Sequence, residues 1–189
     1  MALPLKPGDG LLFMKVGTHA QENLEDIIAR KAKEIADAGF ALWGYGGNTC
    51  HPTAMVQPFV RDYETRGGIV YLCMHPMASK HFAEPLRAKQ MSTDGVSWQD
   101  IPATINVRGS RYALVIKGLR REEFDLPLTT TKVAIGNSMG RSGSRYIAGR
   151  VDKACLEVTR SAETDKDNPS FRIGLVAQIV KPYAVFVRD

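Results

Sequence analysis

Short apolar runs, LLFMKV at 11–16, FALWGY at 40–45 and GIVYLCM at 68–74, stand between turn-forming residues and alternate with stretches of helical periodicity. Runs of that length, bounded in that way, read as strands buried in a core. Between the first two, Leu24, Ile27, Ile28 and Ile35 recur at helical spacing, and Gly39 is placed to close a helix. THAQ offers Thr18 as an N-cap with Gln21 three positions on, so a capping box is expected to open that helix there. Met55, Val56, Phe59, Val60 and Tyr63 predict a second helix, which Pro58 must kink or divide. Over 1–75 the order is strand, helix, strand, helix, strand: a βαβαβ-like unit with a partly parallel sheet and right-handed crossovers.

After residue 75 the pattern changes. HPMASKHFAEPLRAKQMSTDG reads as a short helix with loops, while ATINV and RYALVIKGL around RGS read as a β-hairpin. TTTKVAI, FRIGLVAQIV and YAVFVR read as strands, the last two meeting at Lys181 and Pro182. VDKACLEVTR fits a helix through Val151, Ala154, Cys155 and Val158, and fits a strand equally well by alternation. The expected fold is mixed α/β (α+β): a single domain over 1–189 with an antiparallel, β-rich half over 100–189.

At 189 residues the chain can bury one sizeable core. The start, MALPLKPGDG, has no apolar stretch of signal-peptide length, and nowhere do eighteen apolar residues run together. Cys50, Cys73 and Cys155 are odd in number and form no CxxC pair, which suits a reducing compartment. A cytoplasmic protein without a membrane span is the expectation.

The net charge of +5 is uneven: residues 1–95 balance ten Lys/Arg against ten Asp/Glu, and residues 96–189 carry fifteen against ten. The excess centres on AIGNSMGRSGSRYIAGR, residues 134–150, which holds four Gly, three Ser and three Arg. Gly136 to Gly140 satisfy G-x-S-x-G, the nucleophile elbow of hydrolases. All four histidines, however, precede Ser138, and RSGSR is a poor helix start. GNSMGRS is one residue short of a P-loop and has Arg141 in place of the phosphate-cradling lysine. What survives is the physics common to both motifs: glycines let backbone amides turn inward, serines add donors, and arginines add permanently charged forks. Asn137, Ser138, Arg141, Ser142, Ser144 and Arg145 are therefore candidate phosphate contacts, set against the plainer reading of a polar hairpin tip.

WGYGGNTCHP, residues 43–52, leaves the second strand and enters a helix. In a sheet with parallel strands that loop lies at the carboxyl end, where ligands of such folds bind. Trp43 and Tyr45 offer flat faces for a base, Gly46 and Gly47 allow close backbone approach, and Asn48, Thr49 and His51 offer polar contacts. Thr18 and His19, at the end of the first strand, are expected at the same rim and at a helix N-terminus. A core role for Trp43 is the competing reading. His51 and His75 each precede proline with Cys50 and Cys73 nearby, but the spacing is wrong for zinc, so no metal is expected. Cys50 as a nucleophile would need a base that its sequence neighbour is poorly placed to be.

These features predict a binding protein for a nucleotide or other phosphorylated small molecule. Such a protein would sense or sequester its ligand, and a homo-oligomer could hold a cyclic or dinucleotide signal between subunits. No further cofactor is expected. A metal-independent phosphodiesterase or transferase is one alternative, with His19 or His51 as base and Arg141 or Arg145 on the phosphoryl group. A nucleic-acid-binding domain is another, although Tyr146 alone interleaves the basic segment.

Overall fold

The computed structural model describes residue 3 and residues 5–46, 53–81, 85–147, 151–160 and 170–189, with backbone alone at 79–81. The chain is a mixed α/β structure built on one sheet. In order it forms β1 (Gly10–His19), α1 (Leu24–Ala38), β2 (Ala41–Tyr45), α2 (Thr53–Thr65), β3 (Tyr71–His81) and β4 (Gln90–Ser92). There follow β5 (Gln99–Asp100), β6 (Tyr112–Pro127), a 3-10 turn (Leu128–Thr130), β7 (Thr131–Val133), α3 (Gly143–Ile147), β8 (Lys153–Val158) and β9 (Ser170–Arg188). The sheet runs β2-β6-β9-β3-β1-β8-β7, with β4 beside β9 and β5 beside β4. Only β1 and β3 are parallel; the other described pairs are antiparallel.

The apolar runs are continuous, not alternating, because the sheet is covered on both faces. Leu12, Met14, Leu72, Met74 and Cys155 point into one core with Ile27 of α1 and Val56, Phe59, Val60 and Tyr63 of α2. Their strand neighbours Leu11, Phe13, Cys73 and Leu156 point into another, closed by Leu128, Val133 and Ile147. A third core sets Leu42, Ala113, Val115, Val185 and Val187 under Ile101, Ile105 and Val107.

Several local expectations are corrected. Thr18 does not cap a helix: β1 continues to His19, pairing Thr18 with Lys80 and His19 with His81. Ala20 and Gln21 then turn through left-handed backbone, and Asn23 caps α1 by accepting from the Asp26 amide at 2.9 Å. β2 is not part of a parallel unit, since among the described residues it pairs with β6 alone, and antiparallel. Residues 76–81 continue β3, and Gln90–Ser92 form β4, so no helix occupies the described part of 76–96. Residues 103–107 are not a hairpin arm, because the Asn106 amide and carbonyl are occupied by side chains of α1 and not by a neighbouring strand. The segment 153–158 resolves as strand. α2 runs through Pro58 as one element.

Candidate functional site

The ends of β1 and β2 wall a cavity of about 300 Å³, although three strands separate them in the sheet. The sheet must curl for both to reach it. β1 supplies Met14 to His19, β2 supplies Trp43 to Tyr45 with Gly46 beyond, and α1 supplies Ile27, Arg30 and Lys31. Asn106, Val107 and Arg108 close one side, and Asp152 and Lys153, at the start of β8, close another. Gly44 makes the closure possible: a Cβ there would lie 2.3 Å from Ser110 Oγ, so any larger residue would push the 106–110 segment off β2.

The polar wall begins with an irregularity in α1. Ile27, Lys31 and Glu34 follow one another at spacings of four and three, so a lysine and a glutamate occupy the stripe that Ile27 shares with the core. Lys31 is 3% exposed and Glu34 2%. Charges so buried must be paired. Glu34 accepts from Lys31 Nζ at 2.9 Å, Arg30 Nη1 at 3.0 Å and the Asn106 amide at 2.9 Å. The Asn106 carbonyl accepts from Lys31 Nζ at 2.7 Å and from Arg30 Nη1 at 2.5 Å. Arg30 also forks onto Glu22 through Nε at 2.9 Å and through Nη2. One helix face thereby pins the 106–108 segment, and Arg108 Nε donates in turn to Asn106 Oδ1 at 3.1 Å.

Burial pushes the Lys31 ammonium down to about 8; Glu34 opposes the change and Arg30 adds to it. The hydrogen bond from Arg30 holds the Glu22 carboxyl below the usual carboxylate range, against the effect of its burial. The cavity wall carries Arg30, Lys31, Arg108 and Lys153 with Glu22; Lys15 and Asp152 border it too, but they pair with each other at 3.8 Å and the Lys15 ammonium lies 5.4 Å from the Phe171 ring, against the core on the other face. Glu34, behind this wall, is bonded to two of the cations, Arg30 and Lys31. Lys153 lies opposite Met14 in the β1–β8 register, so the two side chains share a face.

The opposite wall is aromatic and apolar. Trp43 and Tyr45 are each 5% exposed, belong to the core with Val16 and Ile27, and line the cavity as well. Tyr45 lies 5.5 Å from the Tyr112 ring at a tilted angle. His19 Nε2 is 3.0 Å from the Arg108 carbonyl, which can only accept, so this nitrogen carries the proton.

Of the residues singled out in the sequence, Thr18, His19, Trp43, Tyr45 and Gly46 line this cavity. Gly47, Asn48, Thr49, Cys50 and His51 lie outside the described residues. The Gly/Ser/Arg stretch is not in the described lining. Its first part forms a tight turn after β7, in which the Met139 amide donates to the Gly136 carbonyl and the Gly140 amide to the Val133 carbonyl, and Gly143–Ile147 form α3 although RSGSR reads as a poor helix start. Gly136 and Gly140 have φ of +76° and +84°, so both glycines serve the backbone of this turn. Asn137, Arg141 and Arg145 are exposed and Ser138 is half-buried. Ser142 and Ser144 are buried, with their hydroxyls 2.8 Å apart. The turn lies beside α2: a Cβ on Gly136 would meet Met55 Cε at 3.0 Å.

Residues not singled out from the sequence are the ones that carry the cavity's charge: Glu22, Arg30, Lys31, Glu34, Arg108 and Lys153. A lysine and a glutamate in register with Ile27 were the available signal for the α1 pair. Arg108 gave none, being read as part of a hairpin turn.

Cys73 and Cys155 are free and buried. Burial, with the Glu122 charge nearby, pushes the Cys73 thiol up to about 12, and burial raises Cys155 as well. Neither has thiolate character. Among the described residues no three His, Cys, Asp or Glu side chains gather to hold a metal ion, and no helix is long and apolar enough to cross a membrane.

No family model, curated protein or solved structure matches this chain. The functional reading rests on the cavity alone.

Proposed function

We propose that this protein binds a phosphorylated small molecule, of the nucleotide class, in the cavity between β1, α1, β2 and residues 106–108. The observation that carries the reading is one enclosure with two unlike walls. Lys31, Arg30 and Arg108 face it from one side, and Trp43 and Tyr45 from the other. Forked guanidinium donors and a buried ammonium suit phosphate oxygens, and they act more strongly where solvent is excluded than at an open surface. Aromatic faces suit the base. The Arg30–Lys31–Glu34–Asn106 network holds the cationic wall in place before any ligand arrives, which lowers the ordering cost of binding.

The test is to denature the purified protein and to identify by mass spectrometry any small molecule it releases, then to titrate that molecule, or a set of nucleotides, into the refolded chain. A phosphorylated compound, recovered unchanged and rebinding at one per chain, is the expected result. Release of a neutral apolar compound, or no binding of any nucleotide at millimolar concentration, would overturn the reading.

A further inference from the structure

The hydrogen bonds within the cavity wall show which of its polar groups still have capacity for a ligand. We infer that residues 106–108 hold the phosphate, through the Arg108 guanidinium and the Asn106 carboxamide, and that the Glu22 carboxylate accepts from a ribose hydroxyl. This step rests on the reading that the cavity takes a phosphorylated molecule of the nucleotide class.

The cations of the wall differ in what they have left to donate. Arg30 donates to Glu22 through Nε and Nη2, and to Glu34 and the Asn106 carbonyl through Nη1. Lys31 donates to the same glutamate and the same carbonyl. Both are largely spent inside the wall and act on a ligand through their charge. Arg108 is not spent. Its Nε donates to Asn106 Oδ1 at 3.1 Å, while among the described residues its Nη1 and Nη2 have no hydrogen-bond or ion-pair partner. A guanidinium can only donate, so this bond fixes the Asn106 carboxamide with its oxygen toward Arg108, and its NH2 group is likewise without a partner. A guanidinium fork and a carboxamide NH2, both on a segment that α1 pins, make a donor set for one oxyanion.

The same lining holds one acceptor of a different kind. The Glu22 side chain is 18% exposed and borders the cavity. Each of its oxygens accepts from Arg30, and a carboxylate oxygen has room for a second donor. The Arg30 hydrogen bond, and then the charges of Arg30 and Arg108, hold this carboxyl below its usual range. An ionised carboxylate repels phosphate, so the part of the ligand beside Glu22 must be a donor. The influence of Arg108 on Glu22 sets the acceptor near the oxyanion donors, as sugar and phosphate are joined in a nucleotide. Trp43 and Tyr45, on the opposite wall, are left for the base.

The experiment is isothermal titration calorimetry of the whole chain with the four common ribonucleosides, their monophosphates, and the 2′-deoxy and 3′-deoxy analogues of the tightest monophosphate. That monophosphate should bind at least about tenfold more tightly than its nucleoside and than one or both deoxy analogues, as loss of a hydrogen bond to a charged group implies. Glu22→Ala should bring the ratio between parent and deoxy analogue below about threefold. Asn106→Asp keeps the acceptor for Arg108 Nε but replaces the NH2 with a carboxylate oxygen, and Arg108→Lys keeps the charge without the fork. Each should weaken the monophosphate at least about tenfold and preserve the parent-to-deoxy ratio. Both deoxy analogues bound by the unaltered chain as tightly as the parent would overturn the ribose contact, whether or not any variant folds. Unchanged affinity in Asn106→Asp or Arg108→Lys would overturn the phosphate contact. Either result leaves the broader reading standing, whereas a nucleoside bound as tightly as its monophosphate would overturn that reading as well.

Discussion

The cavity and the Gly/Ser/Arg turn are both cationic, and they differ in how their charges are brought together. In the turn, Arg141 and Arg145 are close in sequence, exposed, and on a chain bent by two glycines at positive φ. In the cavity, Arg30, Lys31, Arg108 and Lys153 come from three separate elements, and Lys31 is almost wholly buried. Exposed charges act through water and salt, which reduces a contact at 4 Å to about 1 kcal/mol. Partly buried charges held by a carboxylate act through a medium that screens them far less. Cation density along a chain is thus a poor guide to cation strength in space.

The largest effect that could break this contrast is on stability. Glu34→Ala leaves Lys31 and Arg30 without their shared carboxylate and the Asn106 amide without its acceptor, and should cost about 3–5 kcal/mol in urea unfolding. A loss below about 1 kcal/mol would mean the network does not hold the cavity wall. Next is affinity. Arg108→Ala should weaken a mononucleotide by about 1.5–3 kcal/mol, as loss of a charge-assisted hydrogen bond does, with the urea midpoint little changed. An unaltered dissociation constant would remove Arg108 from the site.

A third effect is on pH dependence. A bound anion favours the charged form of Lys31, so the complex retains a proton that the free protein gives up above about pH 8. Affinity should therefore be level between about pH 6, where the phosphate takes its second charge, and about pH 8, then fall toward a limit of about tenfold per pH unit. A curve flat to pH 9.5 would show that Lys31 does not sense the ligand. The smallest expected effect sharpens the contrast from the other side. Arg141→Ala and Arg145→Ala should each change affinity by less than about 0.5 kcal/mol, as surface substitutions do. A loss of 1.5 kcal/mol or more in either, measured in the same titration, would bring the turn back into the site.

The strand and helix pattern of residues 1–75 was legible because burial on both sheet faces leaves unbroken apolar runs such as LLFM, and because Ile27 and Ile35 mark one side of α1. Thr18, His19, Trp43, Tyr45 and Gly46 line one cavity, but not through the shared carboxyl rim of parallel strands that their positions suggest, because β2 is antiparallel to β6 and the sheet has to curl to bring it to β1. The start of α1 was not legible, since a capping box at Thr18 competes with pairing to Lys80, and pairing across a sheet is invisible to local pattern. Residues 103–107 were misread for the same reason. Ile105 and Val107 alternate like a strand, but Asn106 between them bonds to α1.

What the sequence determines by itself is local: which segments are apolar enough to be strands, which helices are amphipathic, and where glycine allows a turn. Each follows from interactions within a few residues. Whether β2 runs parallel or antiparallel, that β1 and β2 share a cavity across three intervening strands, and that Asn106 meets Lys31 and Glu34, were decided only by the tertiary structure. Those outcomes depend on contacts between residues some 75 positions apart, and nothing in either short segment records the other's charge or place.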